Sequence, residues 1–310
     1  MGKYVFGVDV GGTTVKIGLL DTQGEIIEKW EIVTRKENNG ELILPDIADA
    51  LLNKLKERGI DKSEVEGIGV GVPGPVDDNG VIHVAVNLGW GEFNVNEKLT
   101  ALTGIKSMAG NDANVAALGE MWKGGGKGYD SIVMVTLGTG VGGGIIINGK
   151  MLAGTTGAGG EIGHMHIEDN ETKACGCGNK GCLEQYASAT GISNIAKKML
   201  AEYKGATVLT EADTSAKAVF DGVKAGDELC KEVANEFGRY LGKGLAIIAS
   251  TINPEAFVIG GGVSKAGNIL IDYIVPSFEK YVFKGAKNTK MLLATLGNDA
   301  GMYGAAKLVL

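Results

Sequence analysis

Three cysteines set among glycines, Cys175-Gly176-Cys177-Gly178-Asn179-Lys180-Gly181-Cys182, carry the most pointed chemistry in this sequence. Their C-x-C-x4-C spacing is not the C-x2-C pair of zinc fingers, but glycines beside the ligands permit the turns that bring three thiolates onto one ion. A loop this polar offers little with which to bury three thiols, so a metal is the better account. A closed tetrahedral zinc site needs a fourth donor. The histidines stand at 83, 164 and 166, which makes His164 or His166 the obvious candidate. Four protein ligands would make such a zinc structural. Glu161 and Glu184 flank the cluster in sequence. Taken singly, each reads as a solvated carboxylate. Beside a rigid metal knot, they suit hydrogen bonds from a polyol, and a histidine held through one ring nitrogen keeps the other for a ligand.

A second chemistry is suggested by glycine loops that follow apolar segments. Asp9-Val10-Gly11-Gly12-Thr13-Thr14-Val15-Lys16 is neither a Walker loop nor a GxGxxG turn, and a strand rather than a helix follows it. The physics is nonetheless that of an anion cradle: glycine lets backbone N–H groups approach phosphate oxygens, and threonine hydroxyls add donors. Asp9 could hold Mg²⁺ through water, and Lys16 could reach a phosphate. One such loop alone reads as a tight hairpin. Gly138-Thr139-Gly140-Val141-Gly142-Gly143-Gly144 repeats the composition, and Gly260-Gly261-Gly262-Val263-Ser264 gives a third junction of the same kind. Three such junctions fit an anion with several phosphates better than three independent turns.

A third group is Gly110-Asn111-Asp112-Ala113, which recurs as Gly297-Asn298-Asp299-Ala300, each opening an Ala/Gly-rich helical stretch. From the residues alone Asp112 is better explained as a helix N-cap than as a catalytic base, and Asp299 as a cap only.

The elements that must position these groups alternate. Tyr4 to Val10, Val15 to Leu20 and Ile26 to Thr34 read as strands, the first two joined at the Gly-Gly turn and the last two at Asp21-Thr22-Gln23-Gly24. Pro45 to Arg58 carries a helical apolar stripe that Gly59 ends. Val65 to Val72 and Ser131 to Val135 read as buried strands, the stretch from Asp112 to Trp122 as a helix, Glu228 to Ile252 as a long helix stopped at Asn253-Pro254, and Ala256 to Ile259 as a strand. This alternation predicts an α/β protein. The glycine loops echo each other in plan (strand, glycine turn, hydroxyl residue, second strand), which predicts two duplicated lobes.

Composition removes several classes of function. With 51 glycines against 5 prolines the chain is not low-complexity disorder, so the glycine belongs to ordered turns and close approaches. The formal charge of −7 and the lack of any Lys/Arg run beyond two residues argue against nucleic acid as a partner. The apolar stretch Ile132 to Ile147 is interrupted by glycines and too short to span a bilayer, so no membrane association is expected. No basic segment followed by an apolar one opens the sequence, which predicts a cytoplasmic protein and favours metal over disulfide for the cysteines.

Six segments, DVGGTTVK (9–16), GNDANVAALGE (110–120), TLGTGVGGGI (136–145), GEIGHMHI (160–167), CGCGNKGCLEQYAS (175–188) and IGGGVSKAG (259–267), resemble the ROK family (repressors, open reading frames and kinases) in order and spacing, and within it the glucokinases. The resemblance covers essentially the whole chain, and GEIGH followed by the cysteine run is its most specific part. It implies a two-lobed actin-like ATPase (ribonuclease H-like) fold with a central cleft. The smaller lobe would comprise residues 1–110 and 298–310, and the larger lobe, with the zinc knot and the adenosine-side loop, residues 111–297. It implies transfer of the γ-phosphoryl group of ATP to a hexose 6-hydroxyl, glucose foremost, with Asp112 as base. Sugar contacts would come from Gly74, Asn111, Asp112, Glu161, His164 and Glu184, with Asn87 beside them. ATP and Mg²⁺ would be held by Asp9, Gly11, Gly12, Thr13, Lys16, Gly138, Thr139, Gly140, Gly261 and Gly262. Structural zinc would sit on His164, Cys175, Cys177 and Cys182, which selects His164 over His166, and the assembly would be a homodimer. Other hexose kinases of the family, acting on fructose, N-acetylmannosamine or allose, share the pattern, and polyphosphate is an alternative donor. The family's regulators carry a DNA-binding segment ahead of the first strand. Only three residues precede that strand here, so a regulator is not expected.

Overall fold

Near-continuous apolar runs build the inner strands of the first sheet of the computed structural model, which describes residues 2–310. Strands β1 (Tyr4–Val10), β2 (Thr14–Asp21) and β3 (Ile26–Val33) run antiparallel in turn, and β4 (Val65–Val72) lies parallel to β1. The short strands β5 (Val81–Ile82) and β6 (Phe93–Asn94) pair with each other, and β7 (Ser107–Asn111) lies parallel to β4. The sheet order is β3-β2-β1-β4-β7. β4 is buried along nearly its whole length, as a central parallel strand must be, whereas β3 alternates half-buried and exposed residues at the edge.

The second sheet repeats the plan. Its strands β8 (Ile132–Leu137), β9 (Val141–Ile147), β10 (Lys150–Met151), β11 (Ala256–Gly260) and β12 (Lys290–Leu293) lie in the order β10-β9-β8-β11-β12. The expected duplication is therefore present in topology as well as in the glycine turns. β8 runs Ile132–Leu137 where Ser131 to Val135 was predicted, carrying the strand to the edge of its glycine loop.

The helices follow the apolar stripes. Ile43–Arg58 buries Ile43, Leu44, Ile47, Leu51 and Leu55 and stops at Gly59, whose φ of 65° is the left-handed cap geometry that glycine adopts without strain. It begins two residues before the expected Pro45, because Ile43 and Leu44 belong to the same buried stripe. Glu228–Ile252 has the predicted bounds; the Asp227 side chain caps its start by accepting from Cys230 N–H, and Asn253 ends it at φ 47°.

Compactness divides the chain into two units: residues 1–132, 144–160 and 295–310, and residues 133–143 and 161–294. The sequence-based division instead set its boundaries at 110/111 and 297/298; the compact first unit takes in the helix Asp112–Lys123 as well. The reason is visible in the packing. A Cβ at Gly69 of β4 would lie 1.6 Å from the carbonyl oxygen of Ala305, and one at Gly304 would lie 1.6 Å from that of Val115. The helix Ala300–Leu308 is thus seated backbone against backbone on β4 and on Asp112–Lys123. Much of the glycine in GNDANVAALGE and in the C-terminal helix is explained by this packing. Buried Glu120 fastens the same junction by accepting the backbone N–H groups of Gly125, Thr295 and Leu296 at 2.8, 3.0 and 2.8 Å. Among the described residues no helix is long and apolar enough to cross a membrane.

Candidate active site

Asp112 is the first residue of its helix, not its cap. Asn111 holds the N-cap, its side-chain oxygen accepting from Ala113 and Asn114 N–H at 3.0 and 3.2 Å while its amide donates to the Gly74 carbonyl at 3.0 Å. Asp112 Oδ1 accepts its neighbour's N–H, from Ala113 at 2.8 Å. The expectation that Asp112 serves as cap is corrected: the two best capping residues stand side by side, and the first takes the role. The echo is corrected too. Asp299 makes no capping hydrogen bond and instead pairs with Lys29 at 2.7 Å.

The first glycine loop, Gly11–Thr13, closes the β1–β2 hairpin. Gly11 N–H donates to the Thr14 carbonyl at 3.0 Å, and buried Thr34 fastens the loop from β3's end, donating to the Gly11 carbonyl at 2.7 Å. Sequence reasoning passed over Thr34, since nothing local distinguishes it. Gly12 has nothing within 4 Å of an added Cβ, so its face is open. Lys16 faces Asp9 across the hairpin register and donates to the Asn298 carbonyl at 3.2 Å.

Asp9 is the electrostatic centre of this unit. Burial raises its carboxyl from 3.8 to about 6; the Lys16 ammonium opposes the rise and the Asp112 carboxylate adds to it. A folded-state value above the unfolded one means that the ionised group works against folding. That cost is absent below the ordinary value and grows as pH rises through 6, reaching about 2–3 kcal/mol at neutral pH. Asp9→Asn is accordingly expected to raise the melting temperature at pH 7.5 by several degrees and to flatten its decline between pH 4 and 6. A scanning-fluorimetry pH series checks this; equal slopes for both proteins would remove Asp9 as the source.

In the second unit four ligand atoms, His164 Nδ1 and the Sγ atoms of Cys175, Cys177 and Cys182, all lie within 4.8 Å of one another. Cys177 and Cys182 are 3.7 Å apart at sulfur, as are Cys175 Sγ and His164 Nδ1. A tetrahedron with Zn–S bonds of about 2.3 Å has edges of about 3.7 Å, so this donor set fits zinc. Two of the three thiols are buried after all, Cys175 and Cys182, with Cys177 exposed. Burial pushes the Cys182 thiol up to about 12, while hydrogen bonding from the Asn179 backbone holds Cys177 below its ordinary value. A thiolate at Cys182 therefore calls for a cation beside it. His166 stands apart, bonded to Asp169 and to the Lys180 carbonyl at 2.7 and 2.9 Å.

The Cys3His cluster is joined to the second glycine loop by Glu184. Its Oε2 accepts Val141 N–H at 2.9 Å, and Cys175 Sγ lies 3.6 Å from its Oε1. A Cβ at Gly140 would stand 2.1 Å from Glu184 Oε2, so any side chain there would displace this carboxylate. The turn Ile162–His164, which starts after exposed Glu161, presses on the same strand end: a Cβ on Gly163 would meet the Val141 carbonyl at 2.1 Å. In the third loop Gly261, at φ 83°, lies against the backbone of Leu137, and Gly262 faces open space. Within the second unit, then, Gly138–Gly140, Glu184, His164 and the three cysteines come together, with Gly261 packed on the strand that leads into the loop. Within the first, Asp9, Lys16 and Asp112 do so, with Asn111 fixed to Gly74.

Gly138 supplies a test of occupancy. A Cβ there meets nothing within 4 Å, whereas one on Gly140 collides with Glu184. If the loop and Glu184 hold the phosphates and sugar that the motif resemblance implies, Gly140→Ala should weaken both ligands together, by about tenfold or more, since Glu184 must leave Val141. Gly138→Ala should leave melting temperature and sugar affinity unchanged and weaken nucleotide binding alone. Calorimetric titration of both variants checks the pair; a harmless Gly138→Ala would place the phosphates elsewhere.

Residues 5–310 match the ROK family. The chain belongs to the ROK family. Among ROK proteins it is 46% identical to a glucokinase of Halalkalibacterium halodurans, over 99% of this chain and 95% of that one. A glucokinase of Thermotoga maritima is 36% identical, with 98% and 96% covered. The crystal structure of a ROK glucokinase from Streptomyces griseus, in complex with glucose and AMPPNP, superposes with a TM-score of 0.72 at 34% identity, covering 98% of each chain. The mixed α/β fold is that of ROK sugar kinases, with the actin-like ATPase plan expected from the motifs.

Proposed function

We propose that this ROK protein is a glucokinase, transferring the γ-phosphoryl group of ATP to the 6-hydroxyl of glucose. The observation that carries the reading is the joining, through Glu184, of a Cys3His cluster to a glycine loop. A polyol-binding carboxylate braced on one side and a phosphate cradle on the other are what a sugar kinase requires. The likeness to glucokinases over nearly the full length supports glucose as the sugar.

In this reading Glu161, Glu184 and the Nε2 of His164 hold ring hydroxyls, assisted by Asn111 and by backbone at Gly74. Asp112 orients the 6-hydroxyl and accepts its proton as the bond to phosphorus forms. Because phosphoryl transfer proceeds through a loose transition state, positioning and charge stabilisation supply most of the rate. Gly11, Gly12, Thr13, Gly138, Thr139 and Gly140 present N–H and hydroxyl donors to the phosphates, Lys16 adds positive charge, and Gly261 and Gly262 leave room for the adenosine side. Asp9 would hold Mg²⁺, which when bound neutralises phosphate charge. His164, Cys175, Cys177 and Cys182 would hold zinc, which supplies rigidity rather than an open coordination position. A cytoplasmic homodimer without nucleic-acid or membrane partners completes the proposal.

The test is a coupled ADP-release assay over glucose, fructose, N-acetylmannosamine and allose, with polyphosphate substituted for ATP in a parallel series. Glucose with ATP should give the highest kcat/KM. A different best sugar would move the protein to another branch of ROK kinases, and no turnover with any hexose would overturn the kinase reading.

A further inference from the structure

The second glycine loop is fastened by its carbonyls. Ala189, the first residue of the helix Ala189–Glu202, donates its N–H to the Gly138 carbonyl at 2.8 Å. Thr190, the next residue, donates its hydroxyl to the Thr139 carbonyl at 2.9 Å. The helix start is itself fixed, since buried Ser188 accepts Gly191 N–H at 2.9 Å as N-cap. In a planar trans peptide the C=O and the following N–H point in opposite directions. Turning the carbonyls of 138 and 139 toward the helix therefore turns the N–H groups of Thr139 and Gly140 away from it. Among the described residues no backbone acceptor takes either N–H. The next one, of Val141, is taken by Glu184.

Two successive amides aimed to one side form a concavity for an anion. One of them is vulnerable. The peptide between Thr139 and Gly140 is flanked by a glycine, whose permissive backbone allows the whole peptide unit to rotate. A rotated unit would present the Thr139 carbonyl, a partial negative charge, where the anion's oxygen belongs. Among the described residues the one side-chain bond resolved on that carbonyl is from Thr190.

We infer that Thr190 is a positioning residue for phosphoryl transfer: it locks the Thr139–Gly140 peptide with its N–H toward the donor phosphates and its carbonyl away from them. The inference rests on the kinase reading, with Gly138–Gly140 as the phosphate loop. Thr190 is exposed, so Thr190→Val removes the hydroxyl at nearly constant shape outside the core.

The experiment titrates Mg²⁺–AMPPNP and, separately, glucose into wild type, Thr190→Val and Thr190→Ser by calorimetry, with kcat and both KM values measured alongside. In Thr190→Val the nucleotide Kd and KM should rise about tenfold, the loss of a hydrogen bond to a charged group, with kcat reduced. Glucose affinity, zinc content and melting temperature should stay as in wild type. Thr190→Ser, which keeps the hydroxyl, should restore nucleotide binding to within about twofold. Unchanged nucleotide binding in Thr190→Val overturns the inference, as does equal damage to sugar and nucleotide binding or failure of serine to rescue. A wild type that does not bind Mg²⁺–AMPPNP at all instead defeats the kinase reading.

Discussion

Replacing Asp112 by alanine is expected to lower kcat by about a thousandfold while sugar affinity changes by less than about threefold. A positioned general base contributes roughly 10²–10⁴ in rate. The fold can spare the carboxylate, because the Ala113 N–H that Asp112 accepts is also accepted by Asn111, which takes the Asn114 N–H besides. What the helix loses is one favourable charge at its N-terminus, worth about 0.3–1 kcal/mol, so the melting temperature should fall by no more than a few degrees. Asn111→Ala is the contrasting control. It removes the cap and the bond to the Gly74 carbonyl and should cost about 1 kcal/mol or more of stability. Steady-state kinetics with calorimetric sugar titration separate the cases. If Asp112→Ala bound sugar poorly but turned it over at the normal rate, Asp112 would be a sugar-positioning group and not the base.

The second large effect is expected at the metal cluster. Cys177→Ser, at the exposed thiol of the four ligands, should reduce zinc from one per chain to a small fraction and weaken glucose binding by at least about tenfold. The path runs through two residues: His164 loses the ion that fixes its Nδ1, and Glu184 loses the rigid neighbour at Cys175. Cys230→Ser, at a buried cysteine outside the cluster, should leave the metal content untouched. Elemental analysis and calorimetry on the same preparations provide the readout. Full sugar affinity in a zinc-free Cys177→Ser protein would break the proposed link between the metal and the sugar site.

Much of this was legible from residue type and spacing. Cysteine and histidine are scarce here, so Cys175, Cys177 and Cys182 could be grouped with His164 or His166 before any coordinates; the family resemblance chose His164, and the structure places its ring with the three thiols. The β1–β2 hairpin and the helix Glu228–Ile252 followed from local periodicity and breakers, which operate over a few residues. Choosing between Asn111 and Asp112 as cap was beyond sequence, since adjacent residues of equal capping preference differ only in the backbone angle each finally adopts. Asp299 escaped for a different reason: its partner, Lys29, is 270 residues away. The braces of the second loop are likewise non-local, Thr190 lying 51 residues from Thr139 and Glu184 lying 43 from Val141. From sequence, residues 298–310 belong to the first lobe; the compact first unit runs from 295 at that end and includes the Asp112–Lys123 helix, which depends on glycine contacts with the C-terminal helix.

That backbone-on-backbone seat of Ala300–Leu308 against β4 and Asp112–Lys123 also sets an order of events at the ribosome. The first unit is begun early in synthesis, yet its sheet waits for a helix translated after nearly everything else. Until residues 295–310 emerge, the face of β1 and β4 that carries Val5, Gly7 and Gly69 lacks the helix that packs on it, and the nascent chain carries an open flank through most of its elongation. The second unit, whose main segment 161–294 is continuous, has all its residues before the last helix exists. The part of the protein made first is therefore the part that closes last.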